Sequence, residues 1–307
     1  MKKHLLLYLK GMAMGAADVV PGVSGGTIAF ISGIYGQLVD ALAKMPEGIL
    51  LLFRGRIREA WGLVHANFLL ILFAGILTSI LTLARVITWL LEHHPIPLWA
   101  FFFGLIAISC WVIGRTIQRW NLAGVIVFIL GAFCAWYITV AAPLHWGQDY
   151  LSLFLAGAIA ICAMILPGVS GSFLLLLMGL YHFVLEAVKN LELGIIAVFA
   201  LGCAFGLLGF ARVLRAALSR FHDVTLALLT GFMLGSLNKA WPWKQATSFF
   251  TNSKGEQVPL QQENLLPWQF VELTGQDAQL LPAVLLALTG VALVFGLEYL
   301  AGKMPDH

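Results

Sequence analysis

Most of this chain consists of long apolar stretches separated by short polar or basic segments. An α-helix needs about 20 apolar residues to cross a membrane, and several stretches reach that length. Two apolar segments, residues 5–43 and 151–188, are longer and are broken near the centre by proline and glycine. The pattern predicts an all-α integral membrane protein. Three spans follow each broken segment, at 66–91, 97–115 and 122–141 in the first half and at 195–217, 224–239 and 281–301 in the second.

The composition agrees with a membrane protein and excludes several other classes. Of the 307 residues, 60% are hydrophobic and 11% are charged, whereas soluble domains have roughly 25% charged residues. The net charge of +3 does not indicate a nucleic-acid partner, because the basic residues cluster at the ends of the apolar spans. The four cysteines lie in apolar segments without CxxC spacing, so we expect no metal, no cofactor and no disulfide.

The motif Pro-Gly-Val-Ser-Gly occurs twice, at residues 21–25 and 167–171. A shift of 146 residues superimposes the two copies, and a shift of 127 residues matches the Ala-Arg-Val at 84–86 to that at 211–213. Such extended self-similarity is typical of an internal duplication. The chain therefore reads as a single membrane domain made of two tandem repeats, at 1–142 and 150–302.

Each broken segment either crosses the membrane as two short helices or turns back as a re-entrant hairpin, and the sequence leaves both open. We favour the hairpin, with two arms of roughly 16–20 residues that reach about 24–30 Å at 1.5 Å per residue. Its Pro-Gly turn then reaches at least the middle of the membrane. In either case each repeat has an odd number of crossings, so the second repeat is expected to insert upside down relative to the first.

The basic residues test this inverted arrangement. The hairpin topology places twelve of them on one side and four on the other, and such a bias marks the basic side as cytoplasmic. We therefore expect a multi-pass membrane protein with both termini in the cytoplasm. The polar stretch 242–280 becomes an outward-facing loop. The four basic residues on the outer side are Lys189, Lys239, Lys244 and Lys254.

Arg85 and Arg212 occupy equivalent positions in the two repeats, each several residues inside a predicted span. One interpretation is that each guanidinium snorkels to the nearer headgroup layer. The other is that both face a cavity, because a charge near the centre of a span costs at least ~2.5–3.5 kcal/mol and such residues mark pathways. Inversion would then place one guanidinium near each face, where its planar fork can receive a phosphate or a carboxylate.

The turn residues of both motifs are suited to binding an anion. A helix starts after each turn, and its first backbone N–H groups carry the positive end of the helix dipole. Glycines let a ligand approach this backbone, so two such turns that meet in mid-membrane predict an anion site. The alternative is that the small residues only allow tight packing. The candidate residues are Gly22, Ser24, Gly25, Gly26, Thr27, Gly168, Ser170, Gly171 and Ser172.

Three acidic residues lie in or near the broken segments. Asp18 precedes the first turn and is replaced by Met164 in the second copy, whereas Asp40 and Glu186 are equivalent and lie near the hairpin bases. A carboxylate repels an anion unless it is protonated or paired, so all three are candidates for coupling transport to a proton or a sodium ion. The alternatives are structural capping by Asp18 and a solvated interface position for the other two.

Residues 22–26 also fit the G-x-S-x-G pattern of serine hydrolases. That pattern requires a preceding strand, and none is predicted here. A nucleophilic Ser24 or Ser170 would also need a positioned base, and His182 is the one histidine placed within apolar sequence. We therefore expect a transporter rather than an enzyme, with an intramembrane serine hydrolase as a remote alternative.

Three segments together resemble one family: residues 18–27, 167–172 and 235–243, which read DVVPGVSGGT, PGVSGS and GSLNKAWPW. The chain is similar to the bacterial and archaeal polyprenyl-phosphate transporters, a membrane family long classed as a domain of unknown function, and the resemblance covers nearly the whole chain. It implies recycling of undecaprenyl phosphate, the lipid carrier of cell-wall synthesis, from the outer to the inner leaflet of the cytoplasmic membrane.

This substrate is compatible with the residues. A phosphate headgroup carries up to two negative charges, which match Arg85, Arg212 and the two helix N-termini. The prenyl tail stays in hydrocarbon while the headgroup crosses by alternating access, so the carrier needs a sideways opening into the bilayer. A carrier of a small soluble anion is the alternative and would have an occluded aqueous path. Glycine-rich helices permit a homodimer without requiring one.

Overall fold

The computed structural model describes residues 2–20, 23–141, 146–251 and 257–302. The first half contains α1 (Lys2–Val19), α2 (Gly25–Ile31), α3 (Tyr35–Ala43), α4 (Met45–Phe53), α5 (Ile57–Leu63), α6 (Ala66–Thr82), α7 (Ala84–His93), α8 (Pro95–Gly114) and α9 (Leu122–Val140). The second half contains α10 (Tyr150–Ile165), α11 (Gly171–Leu177), α12 (Tyr181–Lys189), α13 (Leu193–Arg220), α14 (His222–Ala240), the strands β1 (Lys244–Thr251) and β2 (Gln257–Asn264), α15 (Pro267–Thr274) and α16 (Leu280–Gly302).

Helix length and composition agree with an all-α integral membrane protein. Among the described residues, α8, α9 and α13 are each long and apolar enough to cross a membrane alone. Three pairs of helices reach that length only together, across a sharp bend: α2 with α3 at 118°, α5 with α6 at 64° and α11 with α12 at 107°. Helices predominate because hydrocarbon offers no partner for backbone N–H and C=O groups, which must bond within their own segment.

The two broken segments have the same local structure. Each begins with a long helix, α1 or α10, and returns after the motif as two short helices of 7 and 9 residues. The bounds of α2 and α3 recur in α11 and α12 after the shift of 146 residues. The sequence predicts one continuous returning arm, and this is wrong. Gly33 and Gly179, with φ of 73° and 72°, end the first short helix and turn the chain.

Glycine allows two helix pairs to pack closely at equivalent places in the repeats. On α6, Gly75 lies against the carbonyl of Tyr8 from α1, and on α13, Gly202 lies against the carbonyl of Phe154 from α10. A Cβ at either glycine would overlap that backbone oxygen. The long helix of each broken segment therefore packs on the next long helix of its own half.

The remaining long helices join the two halves to each other. Along α8 and α16, Gly104 lies against Ala287, and along α14 and α9, Gly231 lies against Phe128. The shift of 127 residues matches Gly104 to Gly231, and a shift of 159 residues, which matches Gly131 to Gly290, places Phe128 on Ala287. The same contact therefore occurs twice, with the two halves exchanged.

The equivalent helices α8 and α14 pack against each other in opposite directions. At the start of α8, the ring of Trp99 lies beside Lys244, which follows the end of α14. Beyond the end of α8, the backbone N–H of Arg119 donates to Asp223 at the start of α14, at 3.0 Å. Two equivalent helices thus run antiparallel beside each other.

The polar stretch 242–280 folds as an antiparallel hairpin of β1 and β2 followed by α15. Trp243 Nε1 donates to the carbonyl of Ala278 at 2.8 Å. Buried apolar contacts that include Trp243, Leu265 and Ile96 attach this unit to the start of α8. The stretch is therefore a folded cap on one end of the helices rather than an extended loop.

Candidate functional site

The two motifs form the turns between α1 and α2 and between α10 and α11. We call residues 23–27 the first tip and residues 166–172 the second tip; Gly22, a candidate binding residue, lies outside the described residues. Ser24 and Ser170 are the N-caps of α2 and α11. Each adopts an extended backbone and accepts a bond from an N–H of the first helical turn, as N-cap serines do.

The two tips lie against each other in the interior of the protein. Ser24 Oγ donates to the carbonyl of Met164 at 3.2 Å. The backbone N–H of Gly168 donates to Thr27 Oγ1 at 2.9 Å. The side chains of Ser24 and Thr27 are fully buried. The structure thus brings together two motifs that are far apart in sequence and bonds them directly to each other.

Charged side chains from α1 bind both ends of α2, the short helix of the first tip. The N–H of Gly25 donates to Asp18 Oδ1 at 2.6 Å. At the other end of α2, Lys10 Nζ donates to the carbonyl of Ser32, also at 2.6 Å. A carboxylate at the N-terminus and an ammonium at the C-terminus both complement the helix dipole. The partial charges at both ends of α2 are therefore compensated by side chains of the protein itself.

The second tip lacks both of these charges. Met164 stands where the first tip has its aspartate, and Ala156 stands where α1 has its lysine. The carbonyl of Met178 at the end of α11 accepts from the backbone N–H of Trp146 at 3.3 Å. The two tips share a motif and a backbone course, yet only the first is held by charged side chains.

The hydroxyls of the second tip bond to each other and to their own turn. Ser170 Oγ accepts from the N–H of Phe173 at 3.5 Å and lies 3.0 Å from Ser172 Oγ. The ring of Phe173 lies 4.7 Å from Lys239 Nζ. A cation therefore lies beside the second tip, whereas a carboxylate lies beside the first.

Two glycines of the tips are required for close packing in this conformation. A Cβ on Gly26 would overlap the carbonyls of Met164 and Ile165, and a Cβ on Gly171 would overlap the carbonyl of Ala160. These contacts agree with the tight-packing interpretation of the motif, which does not exclude a ligand when the tips separate.

The geometry of the two motif serines does not favour hydrolysis. Ser24 Oγ bonds to backbone groups, and Ser170 Oγ bonds to a hydroxyl and a backbone N–H. Within the part of the chain that the structure describes, neither is bonded to a base, which a nucleophilic serine needs. The same part contains no group of three or more His, Cys, Asp or Glu that could hold a metal ion.

An apolar groove of about 550 Å³ lies next to the second tip and opens at the protein surface. Leu166 and Val169 of the tip form part of its wall, and residues of α9, α10, α11, α13 and α14 form the rest. Its accessible lining is entirely apolar, and the wall includes Leu155, Phe205 and Gly209. The volume falls within the ~300–1,000 Å³ of small-molecule sites, and the lining suits a hydrocarbon chain.

In the structure, Arg85 and Arg212 both lie at the surface of the protein. Both side chains are exposed, and neither has a hydrogen bond or an ion pair with a described residue. Each lies about 12 Å from the C-terminal end of its helix, α7 or α13, at 1.5 Å per residue. Arg212 directly precedes Val213, a wall residue of the apolar groove.

Asp40 joins the two halves through an ion pair, and its counterpart Glu186 does not. The Asp40 carboxylate lies 2.7 Å from Arg215 Nε on α13, 2.6 Å from Lys44 Nζ and 3.4 Å from His65 Nε2. Glu186 is exposed and has no ion pair among the described residues. The two equivalent acids thus differ in their ionic contacts, as the two tips differ in the charged side chains around them.

Sequence reasoning missed three features of this region. The first is the bond from Lys10 to the end of α2. A lysine that interrupts the apolar run of α1 is a sequence signal for such a buried polar contact. Lys239 and Lys244 contribute to the topology count, but their proximity to the second tip and to aromatic rings depends on tertiary contacts. The apolar groove has no sequence signal, because residues of five helices from both halves form it.

Comparison with known proteins identifies the family. A family model described as undecaprenyl phosphate translocase-like matches residues 14–258. The chain is 52% identical over 301 residues to a polyprenyl-phosphate transporter of Vibrio cholerae serotype O1, an alignment that covers 98% of each chain. It is 32% identical over 259 residues to a polyprenyl-phosphate transporter of Staphylococcus aureus, covering 76% of this chain and 85% of that protein. No solved structure matches.

Both relatives are named as transporters, which confirms the expectation of a transporter rather than an enzyme. The match extends over nearly the whole chain, so it includes both tips, the groove and the folded cap. The chain belongs to the undecaprenyl phosphate translocase-like family.

Proposed function

We propose that this protein moves polyprenyl phosphate across the bacterial cytoplasmic membrane by alternating access, in the direction that recycles undecaprenyl phosphate. The observation that carries the substrate is the 52% identity to a full-length relative named as a polyprenyl-phosphate transporter. The apolar groove beside the second tip supports it, because a prenyl tail remains in hydrocarbon while its headgroup crosses. A carrier of a small soluble anion has no need of an apolar groove that opens sideways.

The membrane arrangement in this proposal is two inverted repeats. The exchanged contacts of α8 with α16 and of α14 with α9 support it, as does the antiparallel packing of α8 against α14. A pseudo-two-fold axis in the membrane plane relates helices in this way. The excess of basic residues then assigns both termini to the cytoplasmic side and the folded cap to the outer side.

The headgroup in this proposal binds between the tips as they separate. In the described state Ser24 Oγ donates to the carbonyl of Leu166 and Thr27 Oγ1 accepts from the N–H of Gly168, so both hydroxyls become available only when the tips separate. Ser170 and Ser172 bond within their own turn and need less rearrangement. Phosphate oxygens would accept from these hydroxyls and from backbone N–H groups. The glycines that allow this approach are Gly22, Gly25, Gly26, Gly168 and Gly171.

Arg85 and Arg212 receive the headgroup at opposite faces of the membrane in this proposal. Their exposure at the protein surface suits a first encounter with a lipid. A guanidinium can bind a phosphate through two parallel hydrogen bonds. Because Arg212 directly precedes Val213, a lipid phosphate bound to it would leave its tail near the groove. Snorkelling into the headgroup layer uses the same exposed position and is compatible with this role.

The ion pair of Asp40 and Arg215 supports a conformation closed on the cytoplasmic side. It links α3 of the first half to α13 of the second half, whereas the equivalent Glu186 forms no ion pair among the described residues. A partly exposed pair of this kind contributes only ~0.2–1 kcal/mol. The link is therefore weak enough to break in each transport cycle.

Coupling to a proton or a sodium ion is proposed through the acids of the broken segments. Asp18 lies at the contact between the tips, Asp40 lies in the ion-pair cluster and Glu186 is exposed. Each is placed where a change of charge would favour one conformation over another. Transport measured in liposomes with an imposed proton or sodium gradient tests the coupling, and the mass of the purified protein tests for a homodimer.

The groove provides the sharpest test of the proposed function. Gly209 lines it, and a Cβ at this position would meet no atom within 4 Å. Gly209→Trp should therefore fill the groove without disturbing the helices and lower translocation of labelled polyprenyl phosphate in liposomes by at least ~10-fold, as loss of ~1.4 kcal/mol of tail binding would.

Gly296→Trp is the matched control, because Gly296 is also an exposed helical glycine with open space at its Cβ. It should leave translocation unchanged, and both variants should keep the melting temperature of the wild type. Full translocation by Gly209→Trp would show that the prenyl tail does not use this groove. Transport of soluble phosphate in place of the lipid would favour the alternative carrier.

A further inference from the structure

Two lysines lie close together where α14 meets the folded cap, and aromatic rings flank both. Lys244 Nζ lies 3.4 Å from the centre of the Trp99 ring and donates to the carbonyl of Lys239. Lys239 Nζ lies 4.7 Å from the centre of the Phe173 ring and 3.5 Å from Gln262 Oε1. Both lysines are partly buried. We call Lys239 and Lys244 the lysine pair.

The charges of the lysine pair are not balanced by the surrounding residues. Neither ammonium belongs to an ion pair within the described ranges of the chain. Burial, together with the neighbouring charge of Lys239, lowers the pKa of Lys244 well below its usual value. Two adjacent, partly desolvated cations favour a ligand that supplies negative charge to both.

The aromatic neighbours explain how the pair persists without a carboxylate. A cation over the face of a tryptophan or phenylalanine ring gains roughly 0.5–2 kcal/mol. That attraction leaves the three donors of each ammonium largely available, since a ring face accepts no conventional hydrogen bond. The rings therefore hold the lysines in place while the N–H groups can still bind an anion.

The pair also lies next to the second tip. Phe173, which contacts Lys239, is in the first turn of α11 and donates its N–H to Ser170. Trp99 belongs to the start of α8, and Gln262 belongs to β2 of the cap. Under the proposed topology this is the outer face of the membrane, where substrate for recycling would enter.

We infer that Lys239 and Lys244 form a receiving site for a phosphomonoester dianion, from which the headgroup passes to the second tip. The inference rests on the proposed function for its direction, but the binding chemistry is independent of transport. A dianion would form charge-assisted hydrogen bonds to both ammonium groups. The ligand is either the headgroup of a polyprenyl phosphate or free phosphate, and the two are distinguished by the test.

The test is equilibrium binding of a labelled short-chain polyprenyl phosphate to the purified full-length protein. Lys239→Gln and Lys244→Gln should each weaken binding by roughly 10-fold, as expected when one charge-assisted hydrogen bond is lost. Lys239→Arg and Lys244→Arg should retain most of the affinity. Lys189→Gln is the matched control, because Lys189 is an exposed lysine assigned to the same side, and it should bind as the wild type does.

Competition with inorganic phosphate shows whether the lysine pair binds free phosphate or only the headgroup of a polyprenyl phosphate. Displacement of the label from the wild type but not from the double glutamine variant indicates a site for phosphate in general. No displacement, together with weaker lipid binding in the glutamine variants, indicates that the prenyl tail is needed as well. Unphosphorylated polyprenol should not compete in either case.

Unchanged binding of polyprenyl phosphate by both glutamine variants, with melting temperatures like the wild type, would overturn the inference. If the glutamine variants unfold, the arginine variants decide: folded arginine variants that lose binding by more than about 10-fold also overturn it, because charge and donors are retained. Failure of the proposed function is recognised separately, as a wild type that binds the lipid but does not translocate it in liposomes.

Discussion

The two tips share a five-residue motif and the same helix bounds, yet their surroundings differ in charge. Asp18 and Lys10 bind the two ends of the short helix in the first tip. Met164 and Ala156 replace them around the second tip, which instead lies beside Lys239. The two copies therefore share a backbone turn, while the charges around it differ.

From this difference we expect the two copies to have separate tasks. The first tip has its helix dipole neutralised by the protein and its hydroxyls bonded to the second tip and the end of α10, so it is fixed until the tips separate. The second tip has neither charge and borders both the apolar groove and the lysine pair. We expect substitutions in the first tip to affect stability and substitutions around the second to affect the substrate.

The largest effect on this comparison is expected from Asp18→Ala. The substitution leaves the N–H of Gly25 without its acceptor in a largely buried place, which should lower the free energy of unfolding by ~1–3 kcal/mol. Thermal or denaturant unfolding of the purified protein in detergent measures the change. Asp18→Asn keeps an acceptor oxygen and should lose less.

Met164→Ala is the matched substitution beside the second tip, because Met164 is the residue equivalent to Asp18. Met164 is 43% exposed, and truncation of a surface side chain usually changes stability by less than ~0.5 kcal/mol. Equal losses for Asp18→Ala and Met164→Ala would remove the proposed distinction between a fixed and an adaptable tip.

A smaller effect is expected from Lys10→Met, which keeps an apolar stem but removes the ammonium from the end of α2. The favourable interaction of a cation with a helix C-terminus contributes ~0.3–2 kcal/mol, and the unfolding free energy should fall by that amount. Lys3→Met, at an exposed position of the same helix, serves as the control. If both variants lose the same stability, Lys10 acts through general charge rather than through the carbonyl of Ser32.

The smallest effect concerns the equivalent acids Asp40 and Glu186. A double-mutant cycle with Asp40→Asn and Arg215→Gln should give a coupling energy of ~0.2–1 kcal/mol, because the pair is partly exposed. Glu186→Gln should leave the unfolding free energy unchanged. A coupling energy near zero would mean that this ion pair does not hold α3 and α13 together.

Much of the architecture could be predicted from sequence. The apolar segments and their breaks predict the helices, and the bounds of α2 and α3 recur in α11 and α12 as the repeat requires. The bend at Gly33 and Gly179 was not predicted, because a glycine inside an apolar segment is compatible with both a continuous helix and a turn. The hairpin within residues 242–280 was missed for a similar reason, since its polar residues resemble those of a loop.

The candidate site could be predicted only in part. Both motifs and the paired arginines stand out in the sequence, and the tips do meet. The hydroxyls of Ser24 and Thr27, however, bond to a backbone carbonyl and a backbone N–H of the other half. No sequence pattern marks such backbone partners, because nearly every residue has them. The position of Lys239 beside Phe173 likewise depends on how α14 packs beside α11.

The sequence by itself determined that this chain is helical, that it contains one five-residue motif twice and that its apolar segments break at both copies. These properties are local, because in hydrocarbon each backbone group must find its partner within its own segment. The tertiary structure alone decided that Asp18 caps the first tip, that an apolar groove borders the second and that two lysines lie beside it. Those properties depend on packing between distant segments, where a single substitution such as Asp18 against Met164 changes the charge while the fold remains the same.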